Sequence, residues 1–302
     1  MRIGLMLDVD RPIEEVIGQA RRAADAGLDT VWCSQIFGYD ALTLVAVIGR
    51  EVPGVAVGTA VVPIQPRHPV MLASQALTVQ AAVGSRLTLG VGLSHQVVIE
   101  GVFGYSFDRP ALHMGEYLSV LVPLLAGEQV SFQGETVRAN TLGPLGVAVE
   151  QSPPVLVAAL GPMMLGLAGR QAAGTVTWMT GPATVEAHIV PTITAAAREA
   201  GRPSPRVAVG LPVAVTADPA AAREQIAKVF AIYGHLPSYR AMLDREGAPG
   251  PAEVAIVGTA AEVVAQVERL EAGGATDFIA APAGSLADIE RTLELLADLA
   301  TA

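Results

Sequence analysis

The chain has 302 residues, of which 51% are apolar and 16% charged, with a formal net charge of −10. That composition suits a large buried core and excludes a disordered or solvating chain. The acidic balance, with no basic run and Lys228 as the lone lysine, argues against nucleic acid or an anionic membrane as a partner.

The chain opens on a short apolar run, Ile3 to Leu7, ending at Asp8-Val9-Asp10. It reads as a first strand and not as a secretory signal. From Pro12 the apolar residues Ile13, Val16, Ile17, Ala20, Ala23 and Ala24 fall at helical spacing, and Gly27 is placed to end that helix. Thr30 to Cys33 is the second strand, and Asp40 is placed to cap an apolar helix from Ala41 to Ile48. Val55 to Val62 is the third strand, Arg67 to Val83 a helix, and Arg86 to Gly92 the fourth strand. An aromatic loop from His95 to Asp108 leads to a helix from about Pro110 to Leu125, then to a hairpin within Glu128–Thr141 turning at Gly134.

Four more strands follow: Val155 to Ala159, Thr175 to Met179, Val207 to Val215 and Asp277 to Ala281. Helices are expected at Gly161–Ala173, Thr184–Ala200, Pro219–Leu243 (broken near Gly234), Ala260–Ala272 and Leu286–Leu299, with Pro249–Gly258 read as a loop. The strands are too apolar to face water on either side, as parallel strands under helices must be. Eight strand–helix pairs without an internal linker predict one domain over residues 1–302, a (β/α)8 TIM barrel with insertions after strands four and seven. An open doubly wound sheet is the competing topology.

In a barrel, ligands collect at the C-terminal ends of the strands. Those ends hold no His-x-His pair, no Glu-x-x-His and no carboxylate cluster of metal-ligand spacing, so no catalytic metal is expected. Ser94-His95 is not a nucleophile elbow. What remains is small-residue backbone and apolar surface, suited to a planar cofactor that brings its own chemistry. Gly90-x-Gly92 lacks the third glycine of a dinucleotide fingerprint. Leu160-Gly161-Pro162-Met163, directly after a strand, is the better phosphate candidate, with an ordinary βα turn as the alternative.

The stretch GTAVVPIQPRHPVMLASQALTVQAAVGSRLTLGVGLSH, with Gly58-Thr59, Arg67-His68-Pro69 and Leu89-Gly90-Val91-Gly92, resembles the luciferase-like monooxygenase superfamily, more closely its coenzyme F420-dependent oxidoreductase branch. The later VLVAALGPMMLGLAGRQAAGTVTWMTGP fits the same family. The resemblance implies a cytoplasmic homodimer of TIM barrels holding reduced F420 (F420H2), or FMN, in the barrel mouth. It implies a hydride transfer to a small-molecule substrate with an activated C=C or C=N bond. An FMN-dependent monooxygenase and a non-catalytic flavin- or deazaflavin-binding barrel are the alternatives. By resemblance a non-prolyl cis bond falls at Ala60–Val61 against the cofactor ring, with Thr59 beside it. The phosphate meets Leu160, Gly161, Pro162 and Met163, while Gly92 and Ser94 line the ribityl chain. The chain departs from the branch just after strand two, where Ser34-Gln35 stands in place of an Asp-His pair. Neither side chain is a general acid near neutral pH.

His95 is the first candidate for a catalytic or cofactor contact, with a backbone-bonded structural histidine as the competing reading. Gln35 is a candidate to hydrogen-bond the polar ring edge, beside Ser34. Asp8, Tyr39, Phe103, Tyr105, Trp178 and Tyr233 are candidates for the substrate pocket, although aromatic residues often serve only as core. His68 reads as structural. The single cysteine, Cys33, reads as a small buried hydrophobe.

Overall fold

The computed structural model of the chain describes residues 1–301. Eight parallel strands close on themselves: β1 (Arg2–Met6), β2 (Thr30–Cys33), β3 (Ala56–Thr59), β4 (Leu87–Gly92), β5 (Val155–Ala158), β6 (Gly174–Trp178), β7 (Arg206–Val215) and β8 (Asp277–Pro282). Each pairs with its neighbours in sequence order, and the ring closes where β8 pairs with both β7 and β1. This is the TIM barrel, and the open sheet is ruled out by that closure.

The two faces of each strand have different neighbours. Outward residues such as Val31, Val57, Leu89 and Val209 join the helices in one large core. Helix Ile13–Asp25, for example, buries Val16, Ile17, Ala20 and Ala23 at helical spacing. Inward residues Trp32, Leu156, Val176, Ala208 and Ile279 fill the barrel itself. Trp32 fits because β3 offers Gly58 beside it: a Cβ there would lie 2.4 Å from Trp32 Cε3. At the N-terminal end, Asp277 is 2% exposed and held by Arg206 at 2.6 Å and Arg2 at 3.0 Å. Paired in this way, those charges close the barrel bottom as structure.

The structure refines three sequence expectations. The third strand is two pieces, Ala56–Thr59 and Val62–Pro63, separated by a kink. The loop after His95 contains a short helix, Gln96–Gly101, because the run Val97-Val98-Ile99 turns Ile99 into the core. Residues 249–258 contain a three-residue strand, Ile256–Gly258, which extends the sheet along Val213–Val215. Both insertions are present. The first carries helix Pro110–Leu125 and the hairpin Ser131–Gln133/Arg138–Asn140. Glu116 accepts the backbone N–H groups of Glu135, Thr136 and Val137 at the hairpin turn. Burial alone would raise its carboxyl, but the bonds from Thr136 and the turn backbone outweigh it and hold the pKa at about 2. The second insertion carries helices Pro219–Val229 and Pro237–Glu246 around the 3₁₀ turn Ala231–Gly234.

Candidate active site in the barrel mouth

The floor of the mouth is set by a bulge. Val57 and Gly58 pair with Leu87 and Thr88, but Val62 and Pro63 pair with Val91 and Gly92. The offset between β3 and the residues it faces drops from 30 to 29, so β3 carries one extra residue at 59–61. The Ala60–Val61 peptide bond inside that bulge is cis. Gly90 faces the gap and loses its ladder partner. The Thr59 hydroxyl takes over, accepting from Gly90 N at 2.9 Å and donating to Gly90 O at 2.8 Å. Only glycine fits there, since a Cβ on Gly90 would lie 1.9 Å from Thr59 O. A Cβ on Gly92 would likewise lie 2.7 Å from Val61 Cγ2. Ala60, Val61, Gly92 and Ala158 thus present backbone and methyl groups, with Met6 packed beside them.

Helix N-termini around the mouth carry partial positive charge, and their caps decide which can meet an anion. Asp40, His68, Asp218 and Thr259 cap the helices that follow them. Glu246 accepts from Ala183 N at 3.1 Å and Thr184 N at 2.7 Å, sealing the helix after β6. Asp288 fills the turn after β8, accepting from Ser285 N at 2.8 Å. Helix Ile13–Asp25 has no side-chain cap but carries Glu14 and Glu15 in its first turn. Helix Pro162–Gln171, after Gly161, has neither a side-chain cap nor an acidic first turn. Helices Pro110–Leu125 and Pro237–Glu246 are likewise uncapped, but of the three Pro162–Gln171 is the one that follows its barrel strand directly. His188 steadies this turn by donating from Nε2 to Leu160 O at 2.8 Å, from a π-helical turn Val185–Ile189.

The opposite wall is aromatic. His95 lies 5.8 Å from Tyr239, Tyr239 lies 4.9 Å edge-on to Tyr233, and Trp178 stands 6.2 Å from Tyr233 and 5.7 Å from Phe230. These rings join the β4 insertion to the β7 insertion across the end of β6. Burial lowers the His95 pKa, so the imidazole is neutral at pH 7. Burial raises the phenols of Tyr233 and Tyr239, so both stay protonated. Ser94 and Met179, at the ends of β4 and β6, hold left-handed backbone at φ 58° and 52°.

The sequence candidates are distributed unevenly over this geometry. Thr59, Ala60, Val61, Gly92, Ser94, Trp178, Tyr233 and His95 converge on the mouth. Leu160, Gly161, Pro162 and Met163 form its free helix end. Ser34 is half-buried at the end of β2. Gln35 turns sideways: its Oε1 accepts from Ala41 N at 3.2 Å and Arg67 Nη2 at 3.1 Å, within a network where Arg67 also pairs with Asp40. Asp8 is exposed, pairs with Arg11 at 3.0 Å and caps its own loop. Tyr39 lies at the rim, lining an open depression of about 770 Å³ with Val9, Asp10 and Arg11. Phe103 and Tyr105 stack on each other at 6.5 Å and are 38% and 50% exposed, outside the aromatic wall. His68 is structural, accepting from Val70 N and donating to Arg138 O. The sequence reading missed Phe230, His188 and Glu246. The break at Gly234 was the one signal pointing toward Phe230.

Among the described residues, no group of histidine, cysteine and carboxylate side chains could hold a metal, and no helix is long and apolar enough to cross a membrane. The sequence profile of the luciferase-like monooxygenase family matches residues 1–277. A putative coenzyme F420-dependent oxidoreductase of Mycobacterium tuberculosis is 30% identical over 182 residues, 56% of this chain and 52% of that protein. The chain therefore spans about half the length of that relative. The 5,10-methylenetetrahydromethanopterin reductase of Methanolobus tindarius is 26% identical over 268 residues, 87% of this chain and 80% of its own. The solved coenzyme F420-dependent tetrahydromethanopterin reductase from Methanopyrus kandleri superposes with a TM-score of 0.83 at 22% identity, covering 98% of this chain and 97% of that one. With a closed barrel, a bulged third strand and a profile match over most of its length, the chain belongs to the luciferase-like monooxygenase family.

Proposed function

We propose that the protein is an F420-dependent oxidoreductase, one domain over residues 1–302, passing a hydride between reduced deazaflavin and a small organic molecule with an activated C=C or C=N bond. The observation that carries this reading is the pairing of an apolar backbone floor with an uncapped helix end directly after β5. A flat ring can lie on Ala60, Val61, Gly92 and Ala158, where side chains at Gly90 and Gly92 would intrude. Its phosphate arm has a site of matching charge at this helix end, where the N–H groups of Met163 and Met164 follow Pro162. Ser94 lines the path between them, and Ser34 and Gln35 stand at the β2 edge of the ring. Thr59 supports the floor from below.

When bound, reduced F420 would supply the hydride, and the residues of this chain supply placement, dryness and the one proton that completes the reduction. Asp8 and Tyr39 stand at the rim through which a substrate enters. Neutral His95 and the protonated phenols of Tyr239 and Tyr233 line the wall where a proton can be delivered. Phe103 and Tyr105 would complete the pocket from the β4 insertion. The family expectation of a homodimer is tested by light scattering, which should give twice the chain mass.

The Ser34-Gln35 pair favours a second reading, an FMN-dependent monooxygenase, because the deazaflavin branch carries Asp-His there. Separate titrations with F420 and with FMN, followed by fluorescence, decide between them. Tight F420 binding with none of FMN is expected. FMN binding without F420 binding refutes the deazaflavin reading, and binding without any turnover leaves a ligand-holding barrel.

A further inference from the structure

The β7 insertion carries more apolar surface than the chain itself covers. Along helix Pro219–Val229, Ala222 and Ile226 fall at helical spacing and are buried in one cluster with Ala214, near the end of β7, and with Ala252, Ala255 and Val257. Phe230, one turn beyond Ile226, continues that stripe onto Trp178, and Tyr233 follows it. Val229 stands three residues after Ile226, and Ile232 three after Val229, so both border the same stripe. Yet they are 62% and 60% exposed. The stripe runs on past the groups that the chain supplies to cover it.

Other exposed apolar side chains cluster at the same end of the barrel. Phe37 after β2, Met163 after β5 and Leu286 after β8 are all exposed, each on a segment that leaves the C-terminal end of a strand. Leu142 is the exception among the described residues. It follows Thr141, which bonds Val130 past the C-terminal end of helix Pro110–Leu125. Apolar surface gathered in one place marks where a ligand or a partner sits. Here it is continuous with the aromatic wall, because Val229 and Ile232 flank the two residues whose rings close on Trp178.

From this continuity we infer that the substrate is an amphiphile whose apolar tail is too long for the mouth and leaves it across Val229 and Ile232. The inference rests on the oxidoreductase reading for the chemistry at the head of the molecule, but the seat of the tail can be measured without turnover.

The test is calorimetric titration of the full chain with 1-hexanol, 1-octanol and 1-decanol. On an open rim each methylene should add about 2-fold in affinity, half of what full burial gives on a logarithmic scale, and so about 16-fold from hexanol to decanol. The double variant Val229→Ser/Ile232→Ser, at two exposed positions, should bind decanol about 5- to 10-fold more weakly and hexanol within about 2-fold of the parent. Leu142→Ser should change neither. No decanol binding, no rise with chain length, or equal decanol affinity in the parent and the double variant overturns the inference. So does a Leu142→Ser loss as large as that of the double variant. A fall from dimer to monomer mass in light scattering of the double variant would make the strip a subunit contact and overturn it as well. Oxidised F420, followed by its own fluorescence, is titrated in parallel. If it fails to bind while the length dependence and its loss in the double variant hold, the cofactor reading falls and the tail site stands.

Discussion

The Thr59 hydroxyl offers a direct measure of how the mouth is held open. Thr59 is fully buried, and its hydroxyl makes two bonds to Gly90, one to the N–H at 2.9 Å and one to the C=O at 2.8 Å. Thr59→Val keeps the branched shape and removes both bonds, leaving two buried backbone groups of Gly90 without these partners. An unsatisfied buried polar group costs about 1–3 kcal/mol; at about 1–2 kcal/mol each, since the two groups adjoin and can share a relaxed contact, the pair should cost about 2–4 kcal/mol. At roughly 2 cal/mol/K of unfolding entropy per residue, a chain of this length loses about 1 °C in Tm per 0.6 kcal/mol. The expected drop is therefore about 3–6 °C. Thr59→Ser keeps the hydroxyl and loses one methyl, worth about 1 kcal/mol, and should drop Tm by only about 1–2 °C.

Thermal unfolding followed by far-UV circular dichroism reads all three proteins under the same conditions. Thr59→Val should melt several degrees below Thr59→Ser, with an unchanged folded spectrum. If Thr59→Val melts within 1 °C of the parent, or no lower than Thr59→Ser, the hydroxyl is not what satisfies β4 at the gap. The account of the floor then fails with it.

The floor itself is tested by Gly92→Ala, whose Cβ would meet Val61 at 2.7 Å and Ala158 at 3.2 Å. F420 affinity should fall about 10-fold, as loss of a close ring contact implies, and an unchanged affinity would place the ring elsewhere. His188→Ala frees the Leu160 carbonyl and should weaken F420 binding about 5-fold, as one hydrogen bond is worth about 1 kcal/mol. Burial lowers the His95 pKa, so below the unfolded value of about 6.5 the unfolded chain binds the proton more readily and stability falls as pH falls. Burial acts the same way on His113, against an opposing contribution from Glu116. An NMR titration should put the His95 midpoint below 6.5, and a midpoint at or above it refutes the buried, neutral ring. Gln35→Ala should cost about 1 kcal/mol through the helix Ala41–Glu51 and leave kcat within about twofold. A large loss of kcat at unchanged stability would instead put Gln35 in contact with the reaction.

The alternation of strand and helix was legible because each parallel strand is buried on both faces and so reads as an unbroken apolar run. The same feature hid the bulge at 59–61. A run such as Val55 to Val62 looks identical whether straight or kinked, and only the resemblance pointed to Ala60–Val61. Ile256–Gly258 escaped notice because three residues are too few for a period to show. The small-residue floor and the uncapped turn after β5 follow local sequence, Gly90-x-Gly92 and Leu160-Gly161-Pro162, and their places in the fold could be read. His188 and Glu246 depend on which helices meet over the mouth, a relation between segments far apart in the chain. Gln35 was read by its position at a strand end, yet its amide is drawn away by Arg67 and the Ala41 N–H.

That diversion explains how the mouth divides its labour. On the β1–β3 side, the polar groups satisfy one another: Asp8 with Arg11, Asp40 with Arg67, and Gln35 with both Arg67 and a helix end. Groups so paired hold their loops in place and have little left to offer a substrate. On the β4–β7 side, the His95 ring and Tyr239 lack such partners and stand among aromatic faces. An Asp-His pair after β2 would have put proton chemistry on the first side. With Ser34-Gln35 in its place, the groups able to donate lie across the mouth, on segments after β4, at the end of β6 and after β7. Those segments come from the two insertions and the strand end between them, so under the proposed function proton delivery falls to this wall, and the floor beneath it is left to hold the ring.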